Sequence, residues 1–118
     1  MLKRALGLLA AFTLTATGAY AHPRLISASP SAGAHLVGSP REVRIIFNET
    51  IFARLSGVTI RSFSGALAKT GRATVDVTKT QLVAPIFGNL APGRYIVVWR
   101  AVSTDTHRVA GKFDFTVK

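Results

Sequence analysis

Hydrophobic and polar residues alternate with a period of two along much of the chain after residue 21. The longest example is residues 94–102, where Tyr95, Val97, Trp99 and Ala101 share one face of an extended segment. Six shorter strand-like runs are separated by Gly, Pro, Ser and Asn: residues 24–29, 42–48, 57–63, 73–77, 81–86 and 111–117. The pattern therefore predicts seven short strands joined by turns, and no helix in this part of the chain.

Seven short strands with turns between them are typical of a sandwich or barrel. We predict an all-β fold, a seven-stranded antiparallel β-sandwich or barrel of the immunoglobulin-like kind with Greek-key connections. The aromatic residues Trp99, Phe113 and Phe115 are placed in the core, because aromatic residues at strand period are usually buried. The alternative is that they line a ligand groove.

The first 21 residues have a different composition. Two basic residues precede an apolar stretch at residues 5–14, and an Ala-x-Ala tripeptide ends at Ala21. This order is typical of a secretory signal peptide. An uncleaved membrane anchor is the alternative, but ten apolar residues fall short of the roughly 20 that span a bilayer. We predict a signal peptide over residues 1–21, cleavage after Ala21, and one exported domain over residues 22–118 that begins at His22.

Composition narrows the choice of partners and ligands. The chain has 15 Lys and Arg against 5 Asp and Glu, and its formal charge of +10 would be +8 after cleavage. On an exported protein such a surface favours anionic lipid headgroups or an acidic protein over nucleic acid. A merely solvated surface is the alternative, since no run of basic residues occurs. Cysteine is absent and the single methionine is Met1, so nitrogen and oxygen remain as metal donors in the mature protein.

The histidines suggest a metal site at the new amino terminus. A free His22 would offer its α-amine and its Nδ1, which together close one six-membered chelate ring. Asp105 stands two residues before His107, just after the longest predicted strand, and residues i and i+2 of an extended segment project to the same side. Alone, an Asp-x-His pair is more often a hydrogen-bonded turn. With the terminal histidine it completes a set of three nitrogens and one oxygen that suits tetragonal Cu(II).

Two further residues could contribute to this site. Glu49 follows the run at residues 42–48 and could approach the same end of the sandwich. In a functional role it is an outer ligand or a hydrogen-bond acceptor that orients a ligand. The alternative is a solvated loop carboxylate without a role in the site. His35 lies beside Gly33 in a turn-rich segment and is expected at the surface.

Three segments taken together resemble the CopC family of periplasmic copper-resistance proteins. The resemblance spans the whole predicted mature chain, and its segments are His-Pro-Arg-Leu at 22–25, Phe-Asn-Glu at 47–49 and Trp-Arg-Ala-Val-Ser-Thr-Asp-Thr-His at 99–107, with Gly111. The resemblance implies a Greek-key β-barrel or sandwich. It also implies a periplasmic carrier, often beside an inner-membrane copper transporter of the CopD type. The implied Cu(II) site consists of His22, Asp105 and His107, with Glu49 in an outer position.

The sequence departs from some CopC members in one important segment. Residues 61–70 stand where those members carry a Met- and His-rich loop that binds Cu(I), and here they contain no soft ligand. We therefore predict a Cu(II)-only member. Separately, we expect a monomer with no nucleic-acid partner. Arg108 replaces a proline of some relatives without a clear cost to metal binding.

Two other classes of function stay open. A small copper-dependent oxidative enzyme, similar to polysaccharide monooxygenases, would also use an N-terminal histidine. Such an enzyme needs a flat substrate face and an open coordination position on the metal. A domain of 97 residues leaves little room for a flat substrate face. A metal-free immunoglobulin-like interaction module would tolerate any residue at position 22. The prediction is a carrier rather than an enzyme or an adhesion module.

Overall fold

The computed structural model describes residues 22–118, so the predicted signal peptide lies outside the described residues. This part of the chain forms two four-stranded sheets with the strand orders β1-β3-β6-β5 and β2-β8-β7-β4. The strands are β1 (Leu25–Ser29), β2 (Ala34–Leu36), β3 (Glu42–Phe47), β4 (Gly57–Ser62), β5 (Thr74–Val75), β6 (Gln81–Pro85), β7 (Gly93–Val102) and β8 (Arg108–Val117). One 3-10 turn at Ala53–Leu55 precedes β4.

The all-β sandwich class is confirmed, and the seven predicted runs all contain a strand. The structure adds an eighth, β2, which pairs parallel to β8 with His35 opposite Thr116. The other strand pairs are antiparallel. Sequence periodicity missed β2 because three residues are too short to show a period, and because its neighbours Gly33 and Gly38 read as turn residues.

The core lies between the sheets and follows the predicted alternation. The inward residues are almost fully buried: Val43, Ile45 and Phe47 of β3, and Tyr95, Val97, Trp99 and Ala101 of β7. Phe47 of one sheet meets Trp99 of the other edge to face, with ring centroids 5.2 Å apart. Such pairs add about 0.5–1.5 kcal/mol beyond the area they bury. Phe115 is fully buried as predicted, whereas Phe113 is half-buried at the edge of the core.

Gly111 fits this packing for a steric reason. A Cβ at this position would lie 2.5 Å from the nearest indole atom of Trp99, so glycine lets the ring lie against β8. The pair β7–β8 is the longest in the fold, with ten register pairs from Gly93–Val117 to Val102–Arg108. The hairpin at residues 103–107 connects these two strands, so their long ladder of hydrogen bonds fixes both ends of the hairpin.

Among the described residues, no helix is long and apolar enough to cross a membrane.

Candidate metal centre

The β7–β8 hairpin is a tight turn that presents Asp105 and His107 at one end of the sandwich. The backbone N–H of Ser103 donates to the carbonyl of His107 at 3.0 Å, and that of Thr106 donates to the carbonyl of Ser103 at 2.8 Å. Thr106 adopts a left-handed conformation with a φ of 69°, which reverses the chain between the two side chains. Extended geometry is therefore not what brings them together; the turn is.

Asp105 is held by hydrogen bonds to both sides. The hydroxyl of Ser103 donates to Oδ1, and Nδ1 of His107 lies 3.0 Å from Oδ2. The hydrogen bond from Ser103, opposed by desolvation and helped by the charge of His107, holds the pKa of Asp105 below its usual value. Asp105 therefore stays a carboxylate, and because a carboxylate only accepts, Nδ1 of His107 carries the hydrogen in this contact.

His22 is placed by the two residues that follow it. Pro23 is among the fully buried side chains. The backbone N–H of Arg24 donates to Oδ1 of Asn48 at 2.6 Å, and the N–H of Asn48 donates to the carbonyl of Arg24 at 3.1 Å. This pair of hydrogen bonds ties the start of the domain to the loop after β3. The position of His22 thus depends on packing and hydrogen bonding.

The two predicted histidine ligands meet at this end of the molecule, called here the metal end (His22, Asp105 and His107). The imidazole rings of His22 and His107 have centroids 5.0 Å apart and are tilted by 54°. A metal ion about 2 Å from one nitrogen of each ring would set the centroids roughly 4.5–6.5 Å apart, depending on the angle at the metal. The observed ring spacing therefore fits two imidazoles on one ion.

Glu49 lies on the loop that borders the hairpin. Ile51 forms an isolated antiparallel bridge with Ser103, and the N–H of Thr104 donates to the carbonyl of Thr50. Extending this register by one more pair sets Glu49 opposite Asp105. Its side chain is half-buried and forms no hydrogen bond or ion pair with the rest of residues 22–118.

No group of three or more His, Asp or Glu side chains within residues 22–118 is close enough together to hold a metal ion as it stands. The backbone nitrogen of His22 is an amide bonded to Ala21 in the uncut chain. Cleavage after Ala21 would convert it into an amine, a donor that is not a side chain. The carboxylate of Asp105 also faces Ser103 and His107 in this arrangement.

His35 is exposed and far from the metal end. It pairs with Thr116, nine residues along β8 from His107, which is roughly 30 Å at strand geometry.

Sequence reasoning missed two residues that build the centre, Ser103 and Asn48. Ser103 is 1% exposed, and its hydroxyl orients Asp105. Its position could have indicated this role, because it lies two residues before an aspartate in the turn after a strand. Short polar side chains often form hydrogen bonds across such turns. Asn48 is part of the Phe-Asn-Glu segment but was not predicted to have a role, and its amide oxygen accepts a hydrogen bond from the backbone N–H of Arg24. Its partner lies 24 residues away, so no local pattern could have shown the contact.

Fold and centre together define a small β-sandwich with an imidazole pair and a carboxylate at one end. The CopC domain model matches residues 25–118, and the chain belongs to this family. Copper resistance protein C of Pseudomonas syringae pv. tomato is 32% identical over 118 residues, covering 94% of this chain and 92% of that protein.

Two solved structures share the fold. The crystal structure of CopC from Methylosinus trichosporium OB3b superposes with a TM-score of 0.76 at 36% identity, covering 82% of this chain and 94% of that one. PcoC of Escherichia coli, described as a methionine-rich copper resistance protein, gives a TM-score of 0.75 at 30% identity, with coverages of 83% and 100%.

Proposed function

We propose that the exported protein is a periplasmic carrier that binds one Cu(II) ion per chain at the metal end. The observation that carries the proposal is the approach of the His22 and His107 rings to 5.0 Å, from opposite ends of the domain's sequence. Copper is the cargo of this site, as the names of the relatives suggest for those proteins. The proposed donors are the amine and imidazole of His22, the imidazole of His107 and the carboxylate of Asp105.

The hydrogen bonds of the hairpin support these roles. Asp105 bonds to Nδ1 of His107, which leaves Nε2 as the ring nitrogen with the lone pair in the neutral tautomer. A carboxylate that holds an imidazole in this way fixes its tautomer and its orientation. Asp105 would either turn from this contact and bind the ion directly, or keep its hydrogen bond to His107 and orient that ligand. Glu49 would supply a second negative charge from the neighbouring loop.

Copper(II) rather than copper(I) is proposed because of the donor types. Amines, imidazoles and carboxylates suit Cu(II), whereas Cu(I) is selected by thiolate and thioether ligands. After residue 21 the sequence has neither Cys nor Met.

A carrier is proposed rather than an oxidative enzyme because of the surroundings of the site. The metal end consists of a hairpin turn and the predicted start of the domain, and a domain of 97 residues leaves little room for a substrate platform. Copper would pass between this tip and an inner-membrane transporter of the CopD type. The protein would act as a monomer in this exchange, without binding nucleic acid.

The test is a Cu(II) titration of the exported protein against a competing chelator, with mass spectrometry of the same sample. We expect a mass that begins at His22, one copper ion per chain, and a loss of affinity of at least about tenfold in His22→Ala and in His107→Ala. His35→Ala is the matched control because it removes an exposed imidazole from the opposite end. Equal losses in His22→Ala and His35→Ala would refute the site. Turnover of added polysaccharide with a reductant would refute the carrier role.

A further inference from the structure

A groove of about 990 Å³ lies beside the metal end, between the edges of the two sheets. One wall is β4, an edge strand of its sheet, and the other is β5, an edge strand of the second sheet. Thr104, the residue before Asp105, forms part of its rim. The groove therefore opens next to the proposed copper ligands without containing any of them.

Four basic side chains converge on this groove although they are scattered in the sequence. Arg54 comes from the 3-10 turn, Arg72 and Lys79 from the segments that flank β5, and Arg100 from β7. All four are exposed, and none forms an ion pair within residues 22–118. The only acidic residue of the lining is Asp76, which accepts a hydrogen bond from the hydroxyl of Thr78. We call this surface the basic groove (Arg54, Arg72, Lys79 and Arg100).

Arg100 is seated on β4 in a way that depends on a glycine. A Cβ at Gly57 would lie 2.7–2.8 Å from three guanidinium atoms of Arg100. The guanidinium therefore lies directly against the backbone of the edge strand, in the space that a side chain would fill. A fork of N–H donors is thus held at the sheet edge, beside the groove.

The chemistry of the lining favours one kind of occupant. Guanidinium groups match carboxylates with paired hydrogen bonds, and three of the four cations are arginines. At residues 57–59 no strand pairs with the outer edge of β4 in the described part of the chain. Such an edge offers backbone hydrogen bonds to an extended peptide. A concave groove with carboxylate-binding forks and an open strand edge suits an extended acidic peptide better than a flat membrane surface.

We propose that the basic groove docks an acidic, extended segment of the protein that exchanges copper with the metal end. The identity of the partner as a copper-exchanging protein rests on the proposed function. The binding of an acidic peptide does not, because no copper ligand lines the groove.

The experiment measures the binding of a fluorescein-labelled hexaglutamate peptide by anisotropy at low ionic strength, with the protein as exported. Arg54→Gln/Arg72→Gln/Arg100→Gln is compared with Arg41→Gln/Lys69→Gln/Lys118→Gln. The control set removes the same charge from exposed residues at the opposite end of the sandwich. We expect the groove variant to lose at least about fivefold in affinity, as three exposed charge pairs would, and the control less than about twofold. Equal losses would overturn the proposal, since net charge alone would then explain binding.

A second variant tests the groove without changing charge. Gly57→Ala adds a methyl group where the guanidinium of Arg100 lies, and that flexible side chain can move away at little cost to folding. We expect about a twofold to threefold loss of peptide binding with an unchanged melting temperature. Undiminished binding would contradict the proposed contact of the peptide with Arg100 and the β4 edge.

Two further arms separate the possible outcomes. Binding to phosphatidylglycerol vesicles that depends on the same three arginines, without peptide binding, would overturn the proposal in favour of a lipid surface. Copper titration of the groove variant should match that of the unmodified protein. If copper binding fails everywhere while the peptide still binds the groove, the proposed function fails and the docking site stands.

Discussion

The metal end differs from the opposite end of the sandwich in the side chains that it offers to an ion. At the metal end the rings of His22 and His107 have centroids 5.0 Å apart, and Nδ1 of His107 lies 3.0 Å from Oδ2 of Asp105. At the opposite end, where β4 finishes and β7 begins, the exposed side chains of Phe63, Leu67 and Phe87 line a second groove of about 610 Å³. The guanidinium of Arg94 lies 4.6 Å above the ring of Phe63.

This contrast suggests that the side chains on the loops at each end, and not the strands, determine which ligands the protein can bind. Both ends are supported by the same strands, since β7 runs the whole length between them. The loop of residues 61–70 at the opposite end carries no soft ligand, whereas one structural relative is described as methionine-rich. The proposed restriction to Cu(II) is thus a property of replaceable side chains and not of the fold.

The largest expected effect is that of pH on copper binding. Protons compete with copper for amine and imidazole nitrogens, which in small peptides titrate near 7.7–8.0 and 6.5. Affinity should fall by about a thousandfold or more between pH 7 and pH 5, with release of protons on binding. The carboxylate of Asp105 adds nothing to this loss, because its lowered pKa keeps it charged until the pH falls below its usual range. Calorimetry in buffers of different ionisation enthalpy measures the protons, and a constant affinity would contradict a nitrogen-based site.

Blocking the amino terminus should have the next largest effect. A version of the protein with one extra residue before His22 keeps every side chain but converts the amine into an amide and removes the chelate ring. We expect a loss of about a hundredfold in Cu(II) affinity, at the upper end of what outer-shell changes cost. The melting temperature of the metal-free protein should not change. Full affinity in this version would show that the terminus is not a ligand.

Changes in the hairpin should have intermediate effects. Asp105→Asn replaces an anionic donor with a neutral amide and should weaken Cu(II) binding by about tenfold. Ser103→Ala leaves the carboxylate but removes its main hydrogen bond, so a smaller loss is expected. Glu49→Gln should do less than Asp105→Asn if it acts from outside the ligand set. Titration of the three variants side by side gives the ranking, and a reversed order would exchange the roles of Asp105 and Glu49.

The smallest effect is expected at the opposite end. Replacing Phe63, Leu67 and Phe87 together with methionine places three thioethers around one exposed groove, and thioethers select Cu(I). Weak Cu(I) binding should appear, measured with a chromogenic Cu(I) chelator, while Cu(II) affinity at the metal end stays within about twofold. A change in Cu(II) affinity of tenfold would show that the two ends are coupled.

Period-two patterning was enough to predict the sandwich because each long strand buries one face, as Val43, Ile45 and Phe47 do in β3. It failed for β2, whose existence depends on the neighbouring strand β8 and not on its own three residues. The joint site of His22 and His107 was predicted from donor chemistry and from the family resemblance. The pattern of strands alone could not bring these residues together, since their meeting requires the whole fold. The basic groove was invisible in sequence for the same reason, because its cations are distant from one another along the chain.

The burial of Pro23 has a consequence for the lifetime of the protein. Chain ends are usually where proteolysis begins unless they are tied down, and here the loss of a single terminal residue would remove two of the proposed copper donors. Because Pro23 is fully buried and Arg24 is hydrogen-bonded to Asn48, an exopeptidase would have to pull Pro23 out of the fold to reach the first peptide bond of the predicted mature chain. The same contacts that orient His22 would therefore protect it once the predicted cleavage has made it the terminal residue.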